Sequence, residues 1–241
     1  MKIIYKPNGR AAEYSEYAIN IVTGCWNGCK YCYAPAVLRK DRAEFHGITV
    51  MKENLYQKLE ADLVKMKADG IKEPVLFCFT SDAYQNKEVA SITHKCLKMF
   101  NEHDQNFQIL TKNGSLALKD FDLYKTGDAY ATTLTFDDHD RTRKIEPHAD
   151  LPGARIMALR FAHDAGIRTW VSFEPALDQH AIVNLFQLTY KYVDLYKIGK
   201  VSNYHSNIKD WKSFGRKMEE LCKMYGKKYL IKADLRKEMD K

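Results

Sequence analysis

Short apolar runs and helix-period stretches alternate along the chain. Residues 18–23 (AINIVT) read as a buried strand that runs into a glycine–cysteine loop. Leu55, Leu59, Leu63, Val64 and Met66 recur at close to helical spacing within residues 53–68, and Gly70 follows where a helix stops. Residues 74–79 (PVLFCF) are continuously apolar, as expected of a strand covered on both faces. The same reading places strands at 107–111, 129–136, 167–173, 193–198 and 228–232. It places helices at 87–101, 115–124, 151–165, 179–190 and 210–225. A strand–helix unit repeated about six times implies a parallel sheet with right-handed crossovers. A closed eight-unit barrel takes about 250 residues, so the expected fold class is α/β, a partial (β/α)6, TIM-barrel-like barrel. The expected division is an N-terminal extension over 1–17, the barrel core over 18–200, and a C-terminal helix and basic tail packed on the core over 201–241.

Composition narrows the class. The 241 residues are 45% hydrophobic and 29% charged, an ordinary globular balance that excludes disorder. Lys+Arg 38 against Asp+Glu 31 leaves +7, compatible with a phosphate-bearing or nucleic-acid partner and diagnostic of neither. No apolar run approaches the ~20 residues of a membrane span, so no membrane partner is expected. Residues 1–10 carry charges and no long apolar run, unlike a signal peptide, so a cytoplasmic location is the expectation. Six cysteines are too few for a disulfide scaffold, and three of them fall within eight residues.

In such folds ligands bind at the carboxyl ends of the strands. Here these are residues 23–33, 80–85, 111–113, 133–136, 174–175 and 199–202. The first holds Cys25, Cys29 and Cys32 as C-x-x-x-C-x-x-C. Three thiolates can hold three irons of a [4Fe-4S] cluster and leave the fourth iron open to a ligand. Zinc is the competing metal; it normally takes a fourth protein ligand, and the nearest histidine is His46.

The loop T-G-C-W-N-G-C-K-Y-C-Y-A resembles that of the radical S-adenosylmethionine (SAM) enzymes, with Tyr31 just before the third cysteine. The later segments F-T-S-D-A-Y-Q-N-K-E, L-T-K-N and I-E-P-H-A-D-L-P-G-A-R follow in the order of the spore photoproduct lyase-like branch. The resemblance covers roughly residues 18–198 and implies a partial (β/α)6 barrel, a [4Fe-4S] cluster and SAM as cofactors. It also implies an external electron donor such as flavodoxin or ferredoxin. In that family the open iron chelates SAM, and one electron cleaves it to a 5′-deoxyadenosyl radical that abstracts hydrogen from the substrate. Carried over, Thr80, Ser81 and Asp82 hold the SAM amino end and Lys112 reaches its carboxylate. Thr133, with Thr135 beside it, contacts the ribose or amino acid. Tyr31 and Tyr33 lie near the cofactor, and Glu174 and Glu146 face the cavity. Plainer readings stand beside these: a turn or cap at 80–82, a solvated lysine, strand-forming threonines and a core tyrosine.

The chain departs from the branch where spore photoproduct lyases carry Cys-Thr-Ser-Asp, the cysteine donating hydrogen to the substrate radical. Here the tetrad is Phe79-Thr80-Ser81-Asp82, and Cys78 one position earlier should face away. This argues against dimer-splitting DNA repair. The substrate and the residues acting on it are not readable; a nucleic acid or nucleotide is favoured over a peptide or protein side chain. The rival class is a non-catalytic iron–sulfur or zinc protein that binds nucleic acid or a partner. Cys96 and Cys222 read as core, and the aromatics Trp211, Phe214, Tyr225 and Tyr229 as packing residues. His139, Arg141 and Arg143 read as an exposed charged loop, with an anion or substrate contact as the alternative, and 227–241 reads as a solvated basic tail, with a phosphate contact as the alternative.

Overall fold

The computed structural model describes residues 2–241. In chain order the elements begin β1 (Ile4–Tyr5), β2 (Tyr17–Ile19), β3 (Val22–Thr23), α1 (Ala34–Val37), α2 (Arg42–Gly47), β4 (Val50–Met51) and α3 (Leu55–Ala68). They continue β5 (Val75–Phe77), α4 (Lys87–Glu102), β6 (Phe107–Thr111), α5 (Gly114–Ala117), β7 (Ala129–Thr133), α6 (His139–Ile145) and α7 (Pro152–Asp164). The last are β8 (Arg168–Ala176), α8 (Gln179–Thr189), β9 (Leu195–Lys200), α9 (Trp211–Met224), β10 (Lys228–Ile231) and α10 (Ala233–Met239). Five helices start where an Asp or Asn side chain accepts from a backbone N–H of the first turn: Asp41, Asn86, Asp138, Asp178 and Asp210.

Eight strands form one sheet in the order β1-β2-β5-β6-β7-β8-β9-β10. Every neighbouring pair from β2 to β10 is parallel, and β1 joins antiparallel at the β2 edge. β1 and β10 are the two edges, so the ring is not closed. The fold is thus α/β with a partial, TIM-barrel-like sheet. Alternation sorts the strand residues. Val75, Phe77, Phe107, Ile109, Tyr130, Val171, Phe173, Tyr196 and Ile198 join the large core that includes helix residues Leu59, Leu97, Leu159, Leu185 and Phe214. The opposite face is smaller and more polar: Leu76, Ala129, Ala131 and Trp170 pack with Tyr14, Phe79 and Leu110. Ser172, Glu174 and Lys197 share that face by register.

Four sequence expectations are corrected. The strand over 18–23 is two: β2 ends at Ile19, and β3 leaves the sheet to pair with β4. Asn20 sits at the break, bonding Tyr5 and the Thr80 N–H through its side chain. The polar stretch holding His139, Arg141 and Arg143 is α6, capped by Asp138. Arg141 is not free for a substrate anion; it pairs with Asp178 at 2.8 Å, Asp137 at 3.1 Å and Asp138. Finally, the 227–241 tail is not a solvated one: beyond the expected last strand, seen as β10, it forms α10, with Leu235 and Met239 buried against the core. Two apolar residues four apart are too few to show a period among the charges. No helix among the described residues is long and apolar enough to cross a membrane.

Candidate functional site

A cavity of about 640 Å³ opens at the carboxyl ends of the strands. Cys25, Cys29, Cys32, Tyr31, Tyr33, Thr80, Ser81, Asp82, Lys112, Thr133 and Glu174 all line it, so the topology brings these sequence-predicted residues to one place; Thr135 and Glu146, expected with them, do not line it and are fully buried.

The cysteine loop is anchored on every side. Gly24 has φ +95°, and a Cβ there would lie 2.0 Å from the Ile48 carbonyl oxygen, so only glycine lets the loop pass. The Cys25 N–H donates to the Phe45 carbonyl at 3.1 Å, and the Cys32 N–H to the Cys29 carbonyl at 3.0 Å. Gln85, which is buried, accepts from the Trp26 N–H and from Thr49 Oγ1, and its amide donates to the Gly24 carbonyl at 3.2 Å. Arg42 donates to the carbonyls of Cys32 at 2.6 Å and Cys29 at 3.3 Å.

Asp82 is the hub. It is 5% exposed and accepts from Asn27 Nδ2 (3.0 Å), Lys112 N (2.8 Å), Thr111 Oγ1 (2.6 Å) and Tyr84 N (2.9 Å). Four donors fill the lone-pair sites of a carboxylate. Asp82 therefore ties the β5 exit to the cysteine loop and the β6 exit, and carries only its charge towards the cavity. Asn27 in turn accepts from Asn113 Nδ2 at 2.8 Å, extending the brace.

Below the loop lies a buried ion pair. Glu146 accepts from Arg155 at 2.6 Å, from Thr135 Oγ1 at 3.2 Å and from the Tyr31 hydroxyl. Burial opposes its ionisation, but Arg155 and Lys112 outweigh burial and hold its carboxyl below the usual range. Lys112 Nζ stands 5.7 Å from the Tyr31 ring centroid. Burial lowers its pKa, and the Cys29, Glu146 and Asp82 charges reverse that and raise it. The Ser81 hydroxyl and His46 Nε2 are buried without a hydrogen-bond partner. Tyr33 donates to the Phe79 carbonyl at 2.6 Å.

The opposite wall is ionic. Glu174 accepts from Lys232 at 2.6 Å, from Arg10 and from the Tyr14 hydroxyl. Gly199 makes room: a Cβ there would sit 2.8 Å from the Glu174 carboxyl carbon. Arg10 also meets Asp234 at 3.0 Å, so this cluster spans the gap between the two sheet edges. At the branch position of the hydrogen-donating cysteine, Phe79 packs edge-on to Tyr14 at 5.8 Å. Cys78, expected to face away, packs in the helix-side core but also lines the cavity: β5 ends at Phe77 and Cys78 has φ +64°, so strand alternation no longer holds there; burial pushes its thiol up to about 11.

Sequence reading missed Asn27, Gln85, Asn113, Arg155, Arg10, Tyr14 and Lys232. Asn27 and Gln85 sat inside recognised segments, and only their burial marks them. Arg10 and Lys232 carry no local signal in a chain with 38 basic residues.

Burial raises the pKa of all three loop thiols, Cys29 to about 12 and Cys25 well above its ordinary value. Thiolates there need a cationic partner of their own. Three soft donors in one loop fit an iron–sulfur core that takes one thiol per iron. The unpartnered Ser81 hydroxyl and the Lys112 ammonium on the same cavity fit a polar, carboxylate-bearing ligand beside it. Among the described residues, no three His, Cys, Asp or Glu side chains are gathered closely enough for a single metal ion.

Comparison with known proteins bears on the fold. A spore photoproduct lyase variant superposes with a TM-score of 0.73 at 13% identity, covering 93% of this chain and 78% of that one. SuiB of Streptococcus suis, bound to S-adenosylmethionine, gives 0.60 at 11% identity, over 88% of this chain and 45% of that one. Both are radical SAM enzymes, and at these identities the likeness is one of fold. An uncharacterised Methanocaldococcus jannaschii protein, MJ0683, is 32% identical over 167 residues, 68% of this chain. The chain spans 61% of that relative's length. The sequence profile of a family described as "protein of unknown function" matches residues 10–232, and the chain belongs to that family, DUF5131.

Proposed function

We propose that this chain is a radical SAM enzyme. The observation that carries the reading is the meeting of three loop thiols, buried at Cys25 and Cys29 and half-buried at Cys32, with the Lys112 ammonium and the Ser81 hydroxyl on one cavity. Cys25, Cys29 and Cys32 would hold three irons of a [4Fe-4S] cluster, which supplies the electron that breaks the SAM sulfonium bond. Lys112 is placed to pair with a carboxylate. It has no hydrogen-bond partner at Nζ among the described residues, and Tyr31 and Glu146 hold it from below. Ser81 offers a hydroxyl to the amino end, and Thr80 and Thr133 line the same cavity. The saturated carboxylate of Asp82 positions these groups rather than taking a ligand hydrogen bond. Leu76, Phe79 and Leu110 line the cavity with apolar surface, which keeps water from a radical. The substrate reading is a nucleic acid or nucleotide, supported by the net charge of +7 and the spore photoproduct lyase-like order of motifs. An external one-electron donor is required, and a cytoplasmic setting is part of the proposal.

Anaerobic reconstitution tests it. The expected outcome is about four irons and four sulfides per chain, a broad absorbance near ~400 nm, and 5′-deoxyadenosine released from SAM on reduction. Cys29→Ala is expected to abolish cluster and cleavage together. A colourless zinc protein indifferent to SAM would return the chain to the class of non-catalytic binding modules.

A further inference from the structure

The charge of the chain is unevenly placed. Residues 1–196 hold 25 basic and 25 acidic side chains, and residues 197–241 hold 13 basic and 6 acidic, so the whole excess of +7 lies in the last 45 residues. These residues form most of β9, then α9, β10 and α10, at one end of the strand order. The salt bridges there use Lys200, Lys232, Arg236 and Lys241. Lys212, Arg216, Lys217 and Lys223 of α9 are left without a carboxylate partner among the described residues. They are gathered on one side. Phe214, Met218, Leu221 and Cys222 bury the inner face of α9. Lys212, Arg216 and Lys223, four and seven positions apart, run along the outer face over ~16 Å. Lys212, Arg216 and Lys217 also border one surface depression, with Asp210, Ser213 and Glu220. Asp210 is occupied in capping the Ser213 N–H at 2.9 Å. The row starts at the cavity: Lys200 lines the cavity, and its Nζ stands 5.4 Å from the ring centroid of Trp211, the first residue of α9.

We propose that this row on α9 binds the sugar–phosphate backbone of a nucleic acid and leads the strand to the mouth of the cavity. The proposal deepens the nucleic-acid reading of the substrate and rests on it. Unpaired cations in a row suit a polymer that repeats one negative charge, because each phosphate they neutralise releases condensed counterions. Other polyanions fit less well. A helix lying on a membrane needs an apolar face for the lipid, and that of α9 is already buried in the core. A protein interface needs an apolar centre within its charged rim, and Met224 in the last turn is the one large hydrophobic side chain of α9 that is exposed among the described residues. Backbone contacts fix position and not sequence, so the row holds strands of any sequence and leaves the choice of reacting residue to the cavity.

The test titrates the full chain into a fluorescein-labelled oligodeoxynucleotide, single-stranded and as a duplex, and reads anisotropy over a range of salt. Wild type is expected to bind at least one of the two, more weakly as salt rises. Lys212→Glu/Arg216→Glu/Lys223→Glu is expected to weaken binding by about tenfold or more and to flatten the plot of log affinity against log salt by about 2. The corresponding triple Gln variant is expected to lose the same slope with a smaller loss of affinity, both variants keeping the wild-type circular dichroism. Lys67→Glu/Lys87→Glu/Lys98→Glu makes the same charge change on exposed positions of α3 and α4 and is expected to keep the wild-type slope. Equal losses in that control and in the α9 variants overturn the proposal, as does wild-type affinity in the α9 variants; in both cases wild type binds and the nucleic-acid reading survives. Absence of binding by wild type overturns the two together. Binding of wild type and not of the α9 variants to phosphatidylglycerol vesicles, with oligonucleotide affinity unaltered, assigns the row to a membrane and also overturns the proposal. Release of 5′-deoxyadenosine from SAM is assayed apart, so failure of the radical SAM reading shows there and not in the anisotropy.

Discussion

The two walls of the cavity are held by different forces. The cysteine loop is fixed by Gln85, Asn27 and Asp82, buried groups whose partners are mostly backbone amides and carbonyls. The facing wall is fixed by charges: Glu174 with Lys232 and Arg10, and Arg10 with Asp234, the Arg10 side chain being 36% exposed. Buried hydrogen bonds are directional and costly to leave unmade; the facing wall grades from the buried Lys232–Glu174 pair, 2% and 14% exposed, to the half-exposed Arg10–Asp234 pair, which is screened and tolerates small displacements. Directional bonds stand around the loop that carries three cysteines. Charges stand where the fold has only to hold two sheet edges near each other.

The sharpest way to break this contrast is Asp82→Asn. Whichever way the amide turns, its NH2 group faces a backbone N–H, of Tyr84 or of Lys112. A loss of about 4 kcal/mol in urea unfolding is expected from two buried donors left unpaired. A loss below about 1 kcal/mol would contradict the hub role.

The ionic side is probed by Lys197, which is 6% exposed, lies 4.3 Å from the Trp170 ring and donates to the Tyr14 carbonyl at 2.7 Å. Burial first, then Lys232 and Arg168, lower its pKa from 10.5 to about 8. The sign follows from proton counting. Below pH 8 both folded and unfolded states carry the proton, and the penalty of a buried charge is fully present. Between about 8 and 10.5 only the unfolded state is protonated, so stability rises with pH. The rise is expected to total about 3 kcal/mol and to vanish in Lys197→Met. An unchanged slope in urea titrations from pH 7 to about 10 would refute this assignment.

The smallest effect is expected of Tyr31→Phe. It removes one hydroxyl from Glu146 and leaves Arg155 and Thr135 in place. About 1 kcal/mol should be lost in thermal unfolding; a larger loss would make Tyr31 part of the hub rather than an edge of it.

The contrast also explains what could be read from sequence. The parallel sheet was legible because each strand's apolar run carries its own signal, and residues 107–111 match β6 to the residue. The cysteine loop was legible because its three cysteines are close in sequence. Gln85 and Asn27 lie inside recognisable segments, yet nothing in their type says they are buried. The ionic wall was not legible: Arg10 and Glu174 are 164 positions apart, and Arg10 and Lys232 are 222 apart. α6 was missed because its seven residues bury only Thr142, leaving no apolar face to detect.

A completed ring of eight parallel strands fills its own middle with layers of branched side chains. Here the staves stop short, and the inward face carries Ala129, Ala131, Ser172 and Gly199 where bulk would otherwise be. The vacant centre is therefore a product of topology, not a hole excavated from a tight interior. The two free margins meet through salt links, Arg10 with Asp234 and Glu174 with Lys232, instead of a ladder of peptide hydrogen bonds.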